Sequence, residues 1–427
     1  MYSSLIQNLI VWEIATGVIL RSFLADSQSV THDGKMAWPI LQWSHDDQYC
    51  ARMIAGKQGL ISVFGLPGMN LLDKKSIKVA NLSEMMWQPN ANVLAYSTPE
   101  DGNVPARVSL VSIPSREILR TRNIFNVLNS QMYWHPDGAY LLVQIERQKT
   151  KKSTVVSFEV LRMREKDIPV DIIEMAPKEE FKGVFWEPKG HRFCVLSRVE
   201  MKHFATFHQV ETGRGTAPSS GIKALKKVEV SKGVSVVSWS PNGRFCVLCG
   251  VRGTSGGDLV FWDTEELAEL ASNVHFNLTD VQWDPSGRVF TSSVTCAQSS
   301  SDAGFTMWTM SGKELYKETA TKFTNLTWRP RPPTLLTSER QAEITKDIKK
   351  YSKLFEQQDY KDSNAAMSEK QIKRQTQWRE YRTYIRECEK RYAQEHAKRV
   401  AVYGLDPDAK KAIVEEKWVA IQETVLE

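Results

Sequence analysis

The sequence predicts an all-β fold, a WD40-like β-propeller that is incomplete or split at one blade, followed by a C-terminal helical extension. Three observations carry this. A Trp-centred motif returns at Trp43 ("WSHDD"), Trp87 ("WQPNA"), Trp134 ("WHPDG"), Trp186 ("WEPKG"), Trp239 ("WSPNG"), Trp283 ("WDPSG") and Trp328 ("WRPRP"). The spacings are 44, 47, 52, 53, 44 and 45 residues, and a period near 45 is that of four-stranded propeller blades. After the last copy, Pro330, Pro332 and Pro333 interrupt strand pairing, because proline cannot donate to a sheet ladder.

Each element of the unit has a local cause. Proline presets φ at the first central position of the turn, and Asn, Asp or Gly tolerate the next two. A strand precedes each turn and another follows, as in "AYLLVQIE" after Trp134 and "RFCVLCG" after Trp239. Third strands come after a loop: "LISVFGL", "RVSLVSI", "SFEVLRM", "TFHQVET", "LVFWDTE" and "FTMWTMS". The earliest of this kind, "LIVWEIATG", has no turn signature before it. About six complete blades and two partial ones are expected over residues 1–336. The N-terminal partial blade either pairs with strands from 316–336 or belongs to a larger ring. The repeated Trp is read as a packing residue between neighbouring blades. The Gly-His dipeptide of a WD40 blade is missing from its place, and outside the Trp turns only Trp262-Asp263 matches the Trp-Asp signature. Apolar packing is therefore expected to carry the stability.

Residues 337–402 read as basic amphipathic helices, and 403–427 as a tail. Ser338 with Gln341 forms a capping-box pattern, and Ser368 with Gln371 repeats it. Two helices with a break near "KDSNAAMSEK" are predicted. Together they hold 16 Lys and Arg against 11 Asp and Glu. Ile344, Ile348, Tyr351 and Phe355 fall at helical spacing, and Trp378, Tyr381, Ile385, Cys388 and Tyr392 recur at steps of 3, 4, 3 and 4. Such a row either folds back on the blades or is the docking face for a partner.

The six cysteines at 50, 194, 246, 249, 296 and 388 include one close pair, Cys246-x-x-Cys249, in an apolar strand. A zinc site needs a second pair or nearby His ligands. Buried free thiols in a reducing, cytosolic compartment are expected, with no metal and no cofactor. No run of about 18 apolar residues marks a membrane span, and the N-terminus lacks the features of a signal peptide. The sequons at Asn81, Asn277 and Asn325 are read as chance, in what should be packed strand. Gly253-Thr254-Ser255-Gly256-Gly257 matches a nucleophile-elbow pattern, but lies between two strands where an elbow needs strand, turn and helix. "GRG" at 213–215 is a loop, and no other catalytic signature is present, so an enzyme is not expected.

Two basic runs remain. Arg147, Lys149, Lys151 and Lys152 join two strands, and Lys223, Lys226 and Lys227 follow a long loop. Such runs are solvated surface or phosphate contacts.

The segments "WPILQWSHDDQYCARM", "LLDKKSIKV", "LAYSTPEDGNVPARVSLVSIPSREI", "RNIFNV", "RMREKDIPVDIIEM", "VQWDPSGRVFTSSV", "LTWRPRPPTLL" and "KKYSKLFEQQD" together resemble the B subunit of eukaryotic translation initiation factor 3, over about residues 11–362. The resemblance implies an RNA-recognition-type domain, which this sequence lacks together with the leading blades, then a nine-bladed propeller and a helical tail. It implies contact with the 40S ribosomal subunit, its proteins and rRNA, and places the basic loop Arg147, Lys149, Lys151 and Lys152 as an RNA contact. It also implies a tail that joins the factor's I and G subunits, whereas the family meets the A subunit through the missing domain. The reading is a non-catalytic cytoplasmic scaffold with no membrane or small-molecule substrate. The alternative is a WD40-type adaptor of another assembly, such as a ubiquitin-ligase substrate receptor.

Overall fold

The computed structural model describes residues 8–24, 40–150, 153–211, 221–252, 257–299, 302–330, 332 and 334–404. The chain divides into two compact units, residues 1–331 and 332–427.

In the first unit the described strands form seven antiparallel sheets in chain order. The first is two-stranded, Asn8–Trp12 with Ile19–Leu24. The second comprises Leu41–Trp43, Tyr49–Ile54 and Gly56–Gly65, and its outer position is split between Asn70–Leu71 and Ile77–Leu82. The next five are four-stranded and begin with Glu84–Trp87, Val127–Trp134, Glu179–Trp186, Val236–Trp239 and Asp280–Trp283. Every repeated Trp from 43 to 283 thus ends the first strand of its sheet, as the repeat requires. These are the four-stranded blades of a propeller.

Each successive pair of sheets shares a core. Val143, Ile145 and Leu141 of the fourth sheet pack with Val108 and Leu110 of the third. Val156 and Phe158 of the fourth pack with Val184, Trp186 and Phe193 of the fifth. The first sheet is held to the second by Leu9, Val11 and Phe23 against Cys50, Phe64 and Met69, with the Arg21 guanidinium 4.6 Å from the Phe64 ring.

Hydrogen bonds join the blades in addition to this apolar packing. The Trp87 indole N–H donates to the Gln42 carbonyl at 3.0 Å, Trp186 to Tyr133 at 3.2 Å, Trp239 to Phe185 at 3.2 Å and Trp283 to Ser238 at 3.1 Å. In every case the acceptor is the residue just before the preceding Trp. The turns also touch one another. A Cβ on Gly138 (φ +70°) would lie 2.1 Å from Asn90 Oδ1, and one on Gly243 (φ +83°) 2.2 Å from Glu187 Oε1. Glycine is needed there twice over, for the left-handed backbone and for the close approach. Arg192 pairs with Glu187 at 2.8 Å and donates to the Thr264 and Gly243 carbonyls, bridging the fifth and sixth sheets.

Among the described residues, the first sheet is not paired with strands from 316–336. Glu314–Thr319 pairs with Gly304–Thr309 and completes the seventh sheet. The next segment then turns back: Ala320 N donates to the Ala303 carbonyl, Cys296 N to Phe323, and Phe323 meets Phe305 at 5.9 Å. Trp328 therefore lies in irregular chain rather than ending a strand. Asn81 and Asn277 are not in ordinary extended strand either. They hold φ of 55° and 59°, which Asn tolerates, and their amides donate to Asp101 and Asp302. Asn325 is exposed in irregular chain. Cys246 and Cys249 are buried free thiols, as the strand context implied.

In the second unit, Ser338–Lys346 and Ile348–Tyr403 are helical. The N-cap is Thr337, whose side chain accepts from Arg340 N, rather than Ser338. The predicted break near 361–370 does not occur. Residues 361–370 hold neither Pro nor Gly, and extending an established helix is easier than nucleating a new one. The interruption is at Asp347 (φ −107°, ψ 28°). The long helix ends at Gly404, left-handed at φ 67°, whose N–H donates to the Val400 carbonyl.

Candidate interaction surfaces

Successive strands are antiparallel. The Trp turns therefore emerge at one end of each sheet, and the connections between second and third strands at the other. The longest of those hairpins joins Tyr140–Thr150 to Ser153–Arg162 in the fourth sheet. Arg147 and Lys149 lie within its first strand, not in a loop, while Lys151 and Lys152 and the Lys149 side chain lie outside the described residues.

Arg147 is already engaged. Its guanidinium donates to Glu159 Oε1 at 3.1 Å, and Arg122, from the outer strand of the third sheet, donates to Glu159 Oε2 at 2.8 Å. Glu159 is fully buried, and its hydrogen bond holds the Arg122 pKa above its ordinary value. The pair of arginines compensates a carboxylate that could not otherwise be buried. Sequence reasoning missed Glu159 and Arg122. Their partnership depends on strand register and on two different sheets, which no local pattern records.

The second basic run is also committed. Ile222–Val230 is a strand. Lys227 pairs with Glu179 at 2.8 Å, and Lys226 donates to the Leu267 carbonyl at 2.6 Å. The elbow-like segment 253–256 and "GRG" at 213–215 lie outside the described residues.

On the helices the structure separates what the spacing had joined. Ile344 belongs to the short helix and Ile348, Tyr351 and Phe355 to the long one, so the non-helical Asp347 interrupts that face. The side chains of Tyr351 and Phe355 lie outside the described residues. The second row is intact: Trp378, Tyr381, Ile385, Cys388 and Tyr392 all lie on the long helix. Trp378 and Tyr381 are more than half exposed and meet edge-to-face at 6.1 Å. The Arg399 guanidinium lies 4.2 Å from the Tyr392 ring. Tyr384 extends the row and is equally exposed. It was missed because it sits one residue off the 3-4 pattern.

Known proteins share both the fold and the sequence. Residues 122–326 match the family described as eukaryotic translation initiation factor eIF2A. The B subunit of eukaryotic translation initiation factor 3 from Xenopus laevis is 36% identical over 412 residues, covering 96% of this chain and 57% of that protein. The Nicotiana tabacum B subunit is 36% identical, covering 97% and 58%. The chain thus spans somewhat over half the length of these relatives. A crystal structure of a eukaryotic initiation factor superposes with a TM-score of 0.60 at 20% identity, over 76% of this chain and 74% of that one, a likeness of fold.

Fold and kinship together define the class: a β-propeller protein with a helical extension, related to translation initiation factors. Within that class the chain is a homologue of the B subunit of eukaryotic translation initiation factor 3.

Proposed function

We propose that the protein is a non-catalytic scaffold subunit of a cytoplasmic translation initiation factor. In this reading the propeller contacts the small ribosomal subunit, and the long helix recruits the I and G subunits of the factor. The observation that carries it is identity of 36% to the B subunit over nearly the whole chain. Two features support the division of labour. The repeated Trp residues from 87 to 239 are buried between sheets, whereas the helix carries the exposed row Trp378, Tyr381, Tyr384 and Tyr392. Large aromatics of this kind act as anchors at interfaces. The ribosomal contact is assigned to the hairpin lysines Lys149, Lys151 and Lys152, with Arg147 held by Glu159 and so secondary.

The test is affinity purification of the intact tagged protein from its own cells. Recovery of initiation-factor subunits and 40S proteins is expected. Recovery of cullin-type ligase components in their place would overturn the reading in favour of an adaptor.

A further inference from the structure

Most phenylalanines of the propeller are buried or half-buried. Among the described residues only Phe125 and Phe276 are exposed, at 63% and 70%. They hold the same place in the repeat. Each precedes a left-handed Asn, Asn126 at φ 58° and Asn277 at φ 59°, just before the first strand of a sheet. The turn sends the next residue inward and leaves the ring outside. Val127 joins the cluster of Ile124 and Ile145, and Leu278 that of Phe261 and Phe290.

Their neighbourhoods differ. Val127 pairs with Arg147 on the second strand of the fourth sheet, so Phe125 lies at the end of that sheet where the basic hairpin turns. The hairpin's sequence carries Arg147, Lys149, Lys151 and Lys152. Arg147 is answered by Glu159, and the lysines supply the remaining positive charge. Leu128 and Val104 are exposed at the same corner. The loop that carries Val104 is tied to it by Glu100, which accepts the Val127 N–H at 2.7 Å. The corresponding hairpin of the seventh sheet, residues 295–303 ("TCAQSSSDA"), contains no Lys or Arg.

We propose that Phe125, with Leu128 beside it, is a stacking platform for an unpaired RNA base. The inference rests on the ribosomal reading of the basic hairpin, and adds the residue that tells single-stranded from paired RNA. An exposed aromatic ring takes up any base by stacking, while neighbouring cations hold the backbone, and this combination binds single strands with little sequence preference. Bases inside a helix are already stacked and offer no free face. Glu100, on the third-sheet side of the corner, keeps the phosphates to the hairpin side.

The test titrates the full chain with a fluorescently labelled single-stranded oligoribonucleotide at several salt concentrations, with an RNA duplex of the same length as competitor. Phe125→Ala should weaken binding about tenfold without altering the slope of log affinity against log salt, since stacking releases no counterions. Lys149→Ala should reduce that slope by about 0.7. Phe125→Trp should keep or strengthen binding, and Phe276→Ala should leave it unchanged. The duplex should compete at least about tenfold more weakly than the single strand. Undiminished binding by Phe125→Ala, equal losses in the Phe125 and Phe276 variants, or a duplex that competes equally would overturn the assignment and leave the ribosomal reading standing. A wild-type chain that binds no RNA would overturn both. If Phe125→Ala left RNA binding intact but lost a protein subunit from the purified assembly, the corner would be a protein contact instead.

Discussion

The two units of this chain solve the same problem in opposite ways. In the propeller, the repeated Trp residues between blades are spent internally: Trp186 stacks on Tyr140 at 5.6 Å and tilts against Phe193 at 4.9 Å, while its indole N–H is bound to the sheet before it. On the long helix, Trp378 and Tyr381 stand more than half exposed with each other for company. The difference teaches that a Trp at the repeat position is structural, while one on the helical row is left exposed. A helix of 56 residues with an apolar row on one side has no core of its own within its unit.

The largest expected effect tests the structural half. Trp239→Ala should cost the propeller about 3–5 kcal/mol, the range for emptying a core aromatic site, because Trp239 packs with Phe207, Trp262 and Val237 and also holds the fifth sheet. Denaturant unfolding followed by β-sheet ellipticity measures it. A loss under about 1 kcal/mol would mean that the indole is no more spent than the helical ones.

The counterpart on the helix is Trp378→Ala with Tyr381→Ala. Each removed anchor should weaken partner binding by about 2 kcal/mol, so that pull-down of the neighbouring subunit fails, while the propeller's melting temperature stays unchanged. Retained binding would break the contrast.

A pH series separates the buried groups of the propeller from one another. Burial pushes His208 and His275 down to about 4. The unfolded chain takes up those protons near pH 6.5. Their contribution to stability is therefore complete above about 6.5 and is lost as the pH falls toward 4. Glu84 runs the other way. Burial lifts its carboxyl to about 7, against the pull of the Met132 N–H that it accepts at 3.1 Å. Its contribution is present below 4.5 and is lost as the pH rises through about 7. Between about pH 4.5 and 6.5 the two histidines, which gain with pH, outweigh Glu84, which loses, so the melting temperature should rise to about pH 6.5 and fall slightly toward 7; Glu84→Gln should steepen the rise and remove that fall. An unaltered alkaline limb would show that Glu84 is not the group responsible.

The blades were legible because Trp-x-Pro-x-Gly is turn chemistry, complete within five residues. The clasps were not, because each indole's acceptor lies 45 to 54 residues upstream and is a backbone carbonyl, which carries no side-chain signature. Arg147 read as a free cation for the same reason: Glu159 is twelve residues away and becomes a neighbour only through the hairpin register. On the helix, the row from Trp378 to Tyr392 was legible because helical periodicity is local. The break was misplaced because Ser368 and Gln371 offer a cap that a continuing helix does not use, whereas Asp347 carries no breaker residue at all.

The smallest effect asks how much of the propeller's self-sufficiency resides in the clasps themselves. Trp134 provides an internal control, since it ends its strand as the others do and is equally buried, yet among the described residues its indole N–H has no partner. Phenylalanine keeps most of the ring and deletes the N–H. At Trp239 that removes a hydrogen bond at 3.2 Å and strands the Phe185 carbonyl, a loss of about 1 kcal/mol beyond the change in volume. At Trp134 it removes a buried donor that has nothing to bind, so the same substitution should cost less and could stabilise. The difference between the two variants, measured by denaturant unfolding, cancels most of the packing change. A Trp239→Phe penalty exceeding that of Trp134→Phe by about 1 kcal/mol is expected. Equal penalties would leave apolar packing to carry the blade-to-blade energy, as the sequence suggested.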